Sequence, residues 1–138
     1  MPSLQGLAMP QNNFEIMPGP NQRSLRITFR GFWTDETVDR YHQHLRERAS
    51  AAGGVTQTKR VLLDLKHCVV QSQQVMDRID AILESYRSQI EHYGVVLPEA
   101  RLSRLQMTRI MADRPVTFFE TEEQAADWLA GNVAQRQP

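Results

Sequence analysis

Cysteine occurs once in this chain of 138 residues, at position 68. An internal disulfide framework is thereby excluded, as is a zinc cluster built on several thiolates, and a reducing compartment such as the cytoplasm is expected. Net charge is missing too, since sixteen Lys and Arg balance sixteen Asp and Glu. No overall field steers the molecule onto nucleic acid or an anionic membrane, although local patches remain open. Nowhere does the chain approach the roughly 20 apolar residues that cross a bilayer, so no transmembrane segment is expected. Residues Met1 to Pro10 have neither a basic flank nor a continuous apolar run, as a signal peptide would, and a soluble, uncleaved protein is the expectation. Also lacking are a phosphate-binding glycine loop, a dinucleotide fingerprint, a Gly-x-Ser-x-Gly elbow, internal repeats and low-complexity tracts. Nothing visibly catalytic is left, and the expected protein is not an enzyme.

What is present suits one domain with one core. It is expected over residues 12–131, between a flexible N-terminus (1–11) and a flexible tail (132–138). Asn13 to Met17 alternates apolar with polar and ends at the turn cluster Pro18-Gly19-Pro20-Asn21, which predicts a short strand and a hairpin connection. Leu25, Ile27 and Phe29 then alternate with Arg26, Thr28 and Arg30, a strand with one face open to water. Thr34 before Asp35 and Glu36 starts a helix whose buried stripe is Val38, Tyr41, Leu45 and Ala49 and whose stop is Gly53-Gly54. Val61 to Leu65 is continuous apart from Asp64, as in a strand covered on both faces.

From Ser72, the positions Val75, Ile79, Ile82, Tyr86, Ile90 and Tyr93 recur at helical spacing, with Met76 and Leu83 beside them. They predict a long helix capped by Gly94, followed by a short strand Val95-Val96-Leu97. A less regular helix is expected from about Ala100 to Ala112, carrying Leu102, Leu105, Ile110 and Met111. A strand, Val116 to Phe119, follows Pro115. Thr121 with Gln124 forms a capping box for a last helix ending at Gly131. The order β-β-α-β-α-β-α-β-α implies an α/β fold on a mixed five-stranded sheet, parallel from the second strand onward.

That order resembles the SpoIIAA-like group of STAS-fold proteins. The pieces that carry the likeness are the Leu63-Asp64-Leu65 strand leading into a loop and helix, and the closing run Pro115 to Phe119 followed by Glu122 to Leu129. The resemblance spans roughly residues 13 to 131. It implies a module that works by docking onto partners, as anti-sigma factor antagonists, transporter-linked modules and stand-alone sensors of this fold do. Some are switched by phosphorylation of a serine at the start of the helix after the central strand. The matching residue is Ser72, but the antagonists read Asp-Ser-Ser-Gly there, whereas this chain reads Gln71-Ser72-Gln73-Gln74.

Residue by residue, the chemistry is sparse. The docking or switch loop implied by the resemblance comprises Lys66, His67, Cys68, Gln71 and Ser72. A phosphate on Ser72 would sit well at a helix N-terminus, although a plain N-cap needs the same hydroxyl. Cys68 is a nucleophile only beside a base, and His67, next in an extended segment, points away. His42 and His44, two apart on a helix, cannot chelate one ion, and His92 stands alone; no metal and no cofactor are expected. Arg101, Arg104 and Arg109 gather positive charge on the third helix, a candidate patch for an anionic partner. Aromatics are not interleaved with them, so nucleic acid is not expected. The leading expectation is a non-enzymatic regulatory or interaction module with a protein partner. The alternative is a binder or sensor of a small apolar or anionic, lipid-like ligand, with methionines, Tyr86 and Tyr93 lining a pocket. A homodimer is open on either reading.

Overall fold

The computed structural model describes residues 13–20, 23–51 and 59–131, without the side chains of residues 49–51. The expected flexible ends, the Gly53-Gly54 stop and the Ala49 side chain lie outside what is described. Five strands form one sheet in the order β1-β2-β3-β4-β5. They are β1 (Phe14–Pro18), β2 (Ser24–Gly31), β3 (Arg60–Cys68), β4 (His92–Val96) and β5 (Val116–Phe119). The helices are α1 (Asp35–Ala51), α2 (Gln73–Ser85), α3 (Arg101–Met111) and α4 (Glu122–Leu129). β1 and β2 are antiparallel, with Phe14 opposite Phe29 and Pro18 opposite Leu25, and every later pairing is parallel. Connections that include a helix cannot close a hairpin, so parallel pairing follows from the element order.

Alternation along the strands sorts the helices onto two faces. Leu25, Ile27, Phe29, Val61, Leu63, Leu65, Tyr93 and Val95 face a large core with Tyr41 of α1, Ile79 of α2 and Met107 and Met111 of α3. Leu62 and Val96 point the other way, against Ala125, Trp128 and Leu129 of α4. Central β3 is thus covered on both sides, with Leu62 and Leu63 buried alike. Its one charged interior residue, Asp64, is buried on the α4 side and pairs with Arg26 of β2 at 3.1 Å. A buried carboxylate needs such a partner, and the main-chain N–H of Lys66 donates to it as well, at 3.2 Å.

At the mouth of the large core, Phe29 stacks on Trp33 with centroids 4.6 Å apart, and Phe14 and Tyr41 meet them edge-on or tilted. The chain enters α1 through Gly31, whose φ of 68° favours glycine. Thr34 and Thr37 cap α1 reciprocally, each hydroxyl accepting from the other's main-chain N–H.

The helix expected from Ser72 to Tyr93 ends eight residues early. Ser85 closes α2, its hydroxyl donating to Ile82 O at 2.7 Å and competing with the helical ladder. Turns follow, and β4 begins at His92. Ile90 and Tyr93 are buried, but from the connection and the strand, so a spacing of three and four there reflects the core and not a helix. Gly94 is no cap either. It sits inside β4, where an added Cβ would lie 2.6 Å from Trp128 Cζ3. The strand is glycine there because the Trp128 indole of α4 comes close against its backbone.

Candidate functional site: the loop after the central strand

β3 delivers residues 66–72 to the end of the sheet where the parallel strands terminate, beside the chain leaving β2 and the start of α3. Three side chains hold the loop from below. Gln71 is 4% exposed. Its amide nitrogen donates to Gly31 O at 2.8 Å and Val69 O at 2.7 Å, and its amide oxygen accepts from Trp33 N at 2.8 Å. Gln106 of α3 completes the clasp by binding the Gln71 main chain twice, at 2.9 Å each way. Cys68 is buried under the same amide, 3.4 Å from Gln71 Nε2. Burial pushes its thiol up to about 11 despite that hydrogen bond, so it stays protonated and unreactive.

The other expected loop residues face outward. Lys66 is half-buried and reaches Glu99 at 3.3 Å, and His67 is exposed. Ser72 is exposed at the N-terminus of α2, its hydroxyl accepting from Val75 N at 3.1 Å. That is a formed N-cap. The five residues therefore divide by role: Cys68 and Gln71 position the loop, while Lys66, His67 and Ser72 meet solvent.

Among the described residues, large exposed apolar side chains number six, and five of them gather at this end of the molecule: Phe32 (57% exposed), Val69, Val70, Leu102 and Leu105. Such a gathering is unusual on a protein surface, whereas single exposed leucines are ordinary. The bonds from Gln71 to Gly31, Trp33 and Val69 hold the backbone on both sides of Phe32 and at Val69. Leu102 and Leu105 are turned out of α3, whose buried positions are Ser103, Met107 and Met111.

The arginines of α3 do not act together. Arg104 is taken by a two-point pair with Glu120, at 3.0 and 2.7 Å, which holds that carboxyl below its usual range. Arg101 and Arg109 are exposed, with no ion pair to a described residue, and stand about 12 Å apart along the helix. A patch for an anionic partner thus reduces to these two single charges. Among the described residues no group of three ligating side chains can hold a metal, and no helix is long and apolar enough to cross a membrane. His92 meets Thr117 Oγ1 at 2.9 Å, and burial with the Arg60 charge lowers its pKa. Two interior gaps, of about 20 Å³ beside Met76 and Met107 and about 30 Å³ beside Tyr86 and Tyr93, hold no more than a water each.

Sequence reasoning singled out the loop but not Gln106, Phe32 or Val69 beside it. Val69-Val70 left a signal: two branched apolar residues in succession past the end of a buried strand, where alternation no longer buries both. Gln106 left none, since one glutamine on a helix surface reads like any other.

No protein-family model matches the sequence, and no curated protein is significantly similar to it. Solved structures are similar in shape. An uncharacterised DUF3478-family protein from Shewanella loihica PV-4, described as having a SpoIIAA-like fold, superposes with a TM-score of 0.64 at 16% identity, over 85% of this chain and 94% of that one. The chain has the SpoIIAA-like fold. The phosphorylated form of the Bacillus cell fate determinant SpoIIAA itself matches with a TM-score of 0.50 at 13% identity, over 83% of this chain and 97% of that one. At such identities the SpoIIAA-like likeness concerns the arrangement of strands and helices. The expected resemblance and the α/β order are borne out by it.

Proposed function

We propose that this SpoIIAA-like chain is a non-enzymatic regulatory module that docks a protein partner through the loop and helix start after β3. One observation carries the reading: Phe32 and Val69 are presented to solvent on backbone clamped by the buried Gln71 amide. Exposing apolar side chains on a mobile loop would cost ordering entropy on binding; on a clamped loop that cost is met in folding. Lys66, His67 and Ser72 form the polar rim expected around such an apolar centre. The enclosed gaps beside Tyr86, Tyr93 and the core methionines are too small for an organic molecule, so a small ligand has room only in the open groove between α2 and α3.

The test is quantitative affinity capture from the native host, with the wild type beside Phe32→Ser and Val69→Asp, reading bound proteins and bound small molecules by mass spectrometry. A protein retained by the wild type and lost with either variant supports docking. Equal retention by all three, or a small molecule as the sole differential species, contradicts it.

A further inference from the structure

Beside the docking loop, α2 and α3 run side by side, joined at one end by the Gln71–Gln106 bonds and at the other by Arg114 Nη2 to Asp80 at 2.9 Å. Between these ties lies an open groove of about 560 Å³. Val70, Met76, Leu102, Leu105 and Ile110 supply its apolar lining. Its charged groups divide into those already used and those left over. Asp80 and Asp113 pair with Arg114, and Asp113 also with Arg87. Asp77 on the α2 wall accepts only from Gln73, at 2.8 Å, with no cation in ion-pair range among the described residues. Arg109 on the α3 wall has no carboxylate of a described residue within that range.

We propose that this groove is the interface of a twofold homodimer. After internal pairing it keeps one acid on one wall and one base on the other, around an apolar strip. A twofold axis along the groove lays the α2 wall of one copy on the α3 wall of the other. Asp77 of each copy then meets Arg109 of the other, so both leftover charges are matched twice over. Leu102 and Leu105 of each copy are covered by the other. An occupant of single charge sign, such as a basic or acidic helix, would match one wall and leave the other charge facing its own kind or nothing. The inference goes beyond the docking reading: Val70, Leu102 and Leu105 of the exposed apolar cluster line the groove and are covered by the second copy, whereas Phe32 and Val69, which carry the docking reading, do not line it and remain free.

Sedimentation velocity over a concentration series tests it. The wild type is expected to dimerise, and Asp77→Arg and Arg109→Asp, each folded by circular dichroism, are each expected to weaken the dimer at least about tenfold by setting like charges together. An equimolar mixture of the two variants is the decisive sample. In the mixed dimer both pairs regain opposite charges, so association returns to within about threefold of the wild type. Leu105→Glu is expected to be monomeric in every combination. A wild type that stays monomeric at roughly 100 μM, a dimer indifferent to both reversals, or a mixture no tighter than its components would each overturn the proposal.

Discussion

Gln106 satisfies both main-chain groups of Gln71: the Gln71 N–H donates to Gln106 Oε1 and the Gln106 amide donates back to Gln71 O, each at 2.9 Å. One side chain from α3 thereby does for the loop what a neighbouring strand does inside the sheet. The Gln71 side chain repeats the device toward β2, so a segment without regular structure has its polar groups met by two amides.

Removing the clasp is expected to loosen the loop more than the fold. Gln106→Leu keeps the volume but leaves the two main-chain groups of Gln71 without their partner, at a cost of about 1 to 3 kcal/mol. Gln71→Ala removes the bonds to Gly31, Trp33 and Val69 and is expected to cost more. Urea unfolding gives the magnitudes. Amide hydrogen exchange at residues 69–73 is expected to rise in Gln106→Leu while the central strands keep their protection, and unchanged exchange there would contradict the clasp.

Gly94→Ala places a methyl carbon against the Trp128 indole, which is packed between β4, His92 and Phe119. Overpacking of this kind costs about 1 to 3 kcal/mol. The substitution is expected to lower the urea midpoint and to make α4 more labile than α1–α3. If it is as stable as the wild type, the close approach of the indole to β4 is wrong.

Ser72→Ala removes the cap of α2 and is expected to cost about 1 kcal/mol in urea unfolding. Ser72→Asp keeps an accepting oxygen and adds negative charge where the helix dipole favours it, so its stability is expected to match or exceed the wild type. Intact-mass measurement of protein from the native host separates a cap from a modified cap. A phosphate on Ser72 would add the switch that the sequence motif lacks.

The Cys68 thiol is expected to ignore a soluble disulfide reagent at pH 8 while the fold is intact and to react at once in denaturant. Because its folded pKa, about 11, is raised above the ordinary value of 9.0, the unfolded chain loses this proton first as pH rises. Stability from this group is therefore full below pH 9 and declines between about 9 and 11. Cys68→Ser is expected to flatten that decline in a pH series of urea midpoints. Rapid native labelling would place the thiol in solvent and contradict the burial.

The arrangement of the sheet was legible because its causes are local. Alternation in β2, the continuous apolar run of β3 and the Thr121 cap each state their element within a few residues. The end of α2 was not legible, since Ile90 and Tyr93 are buried by the connection and by β4 and happen to continue the helical count. The place of the candidate site could be read from the order of elements, but its surface could not. Whether Leu102 and Leu105 lie in the core or in water depends on which side of α3 meets the sheet, and Ser103 and Met107 take that side. The burial of Gln71 depends on Gly31, Trp33 and Gln106, which are distant in sequence and adjacent only after folding.

Site-specific photocrosslinking in the native host tests the docking claim most directly. A photoreactive residue replaces Val69 in one protein and Glu91, exposed at the opposite end of the sheet, in another. The account predicts a discrete adduct with a second polypeptide from position 69, absent from position 91 and lost when Phe32→Ser is added. Equal adducts from both positions, or none from position 69 with the protein at its native level, would contradict it.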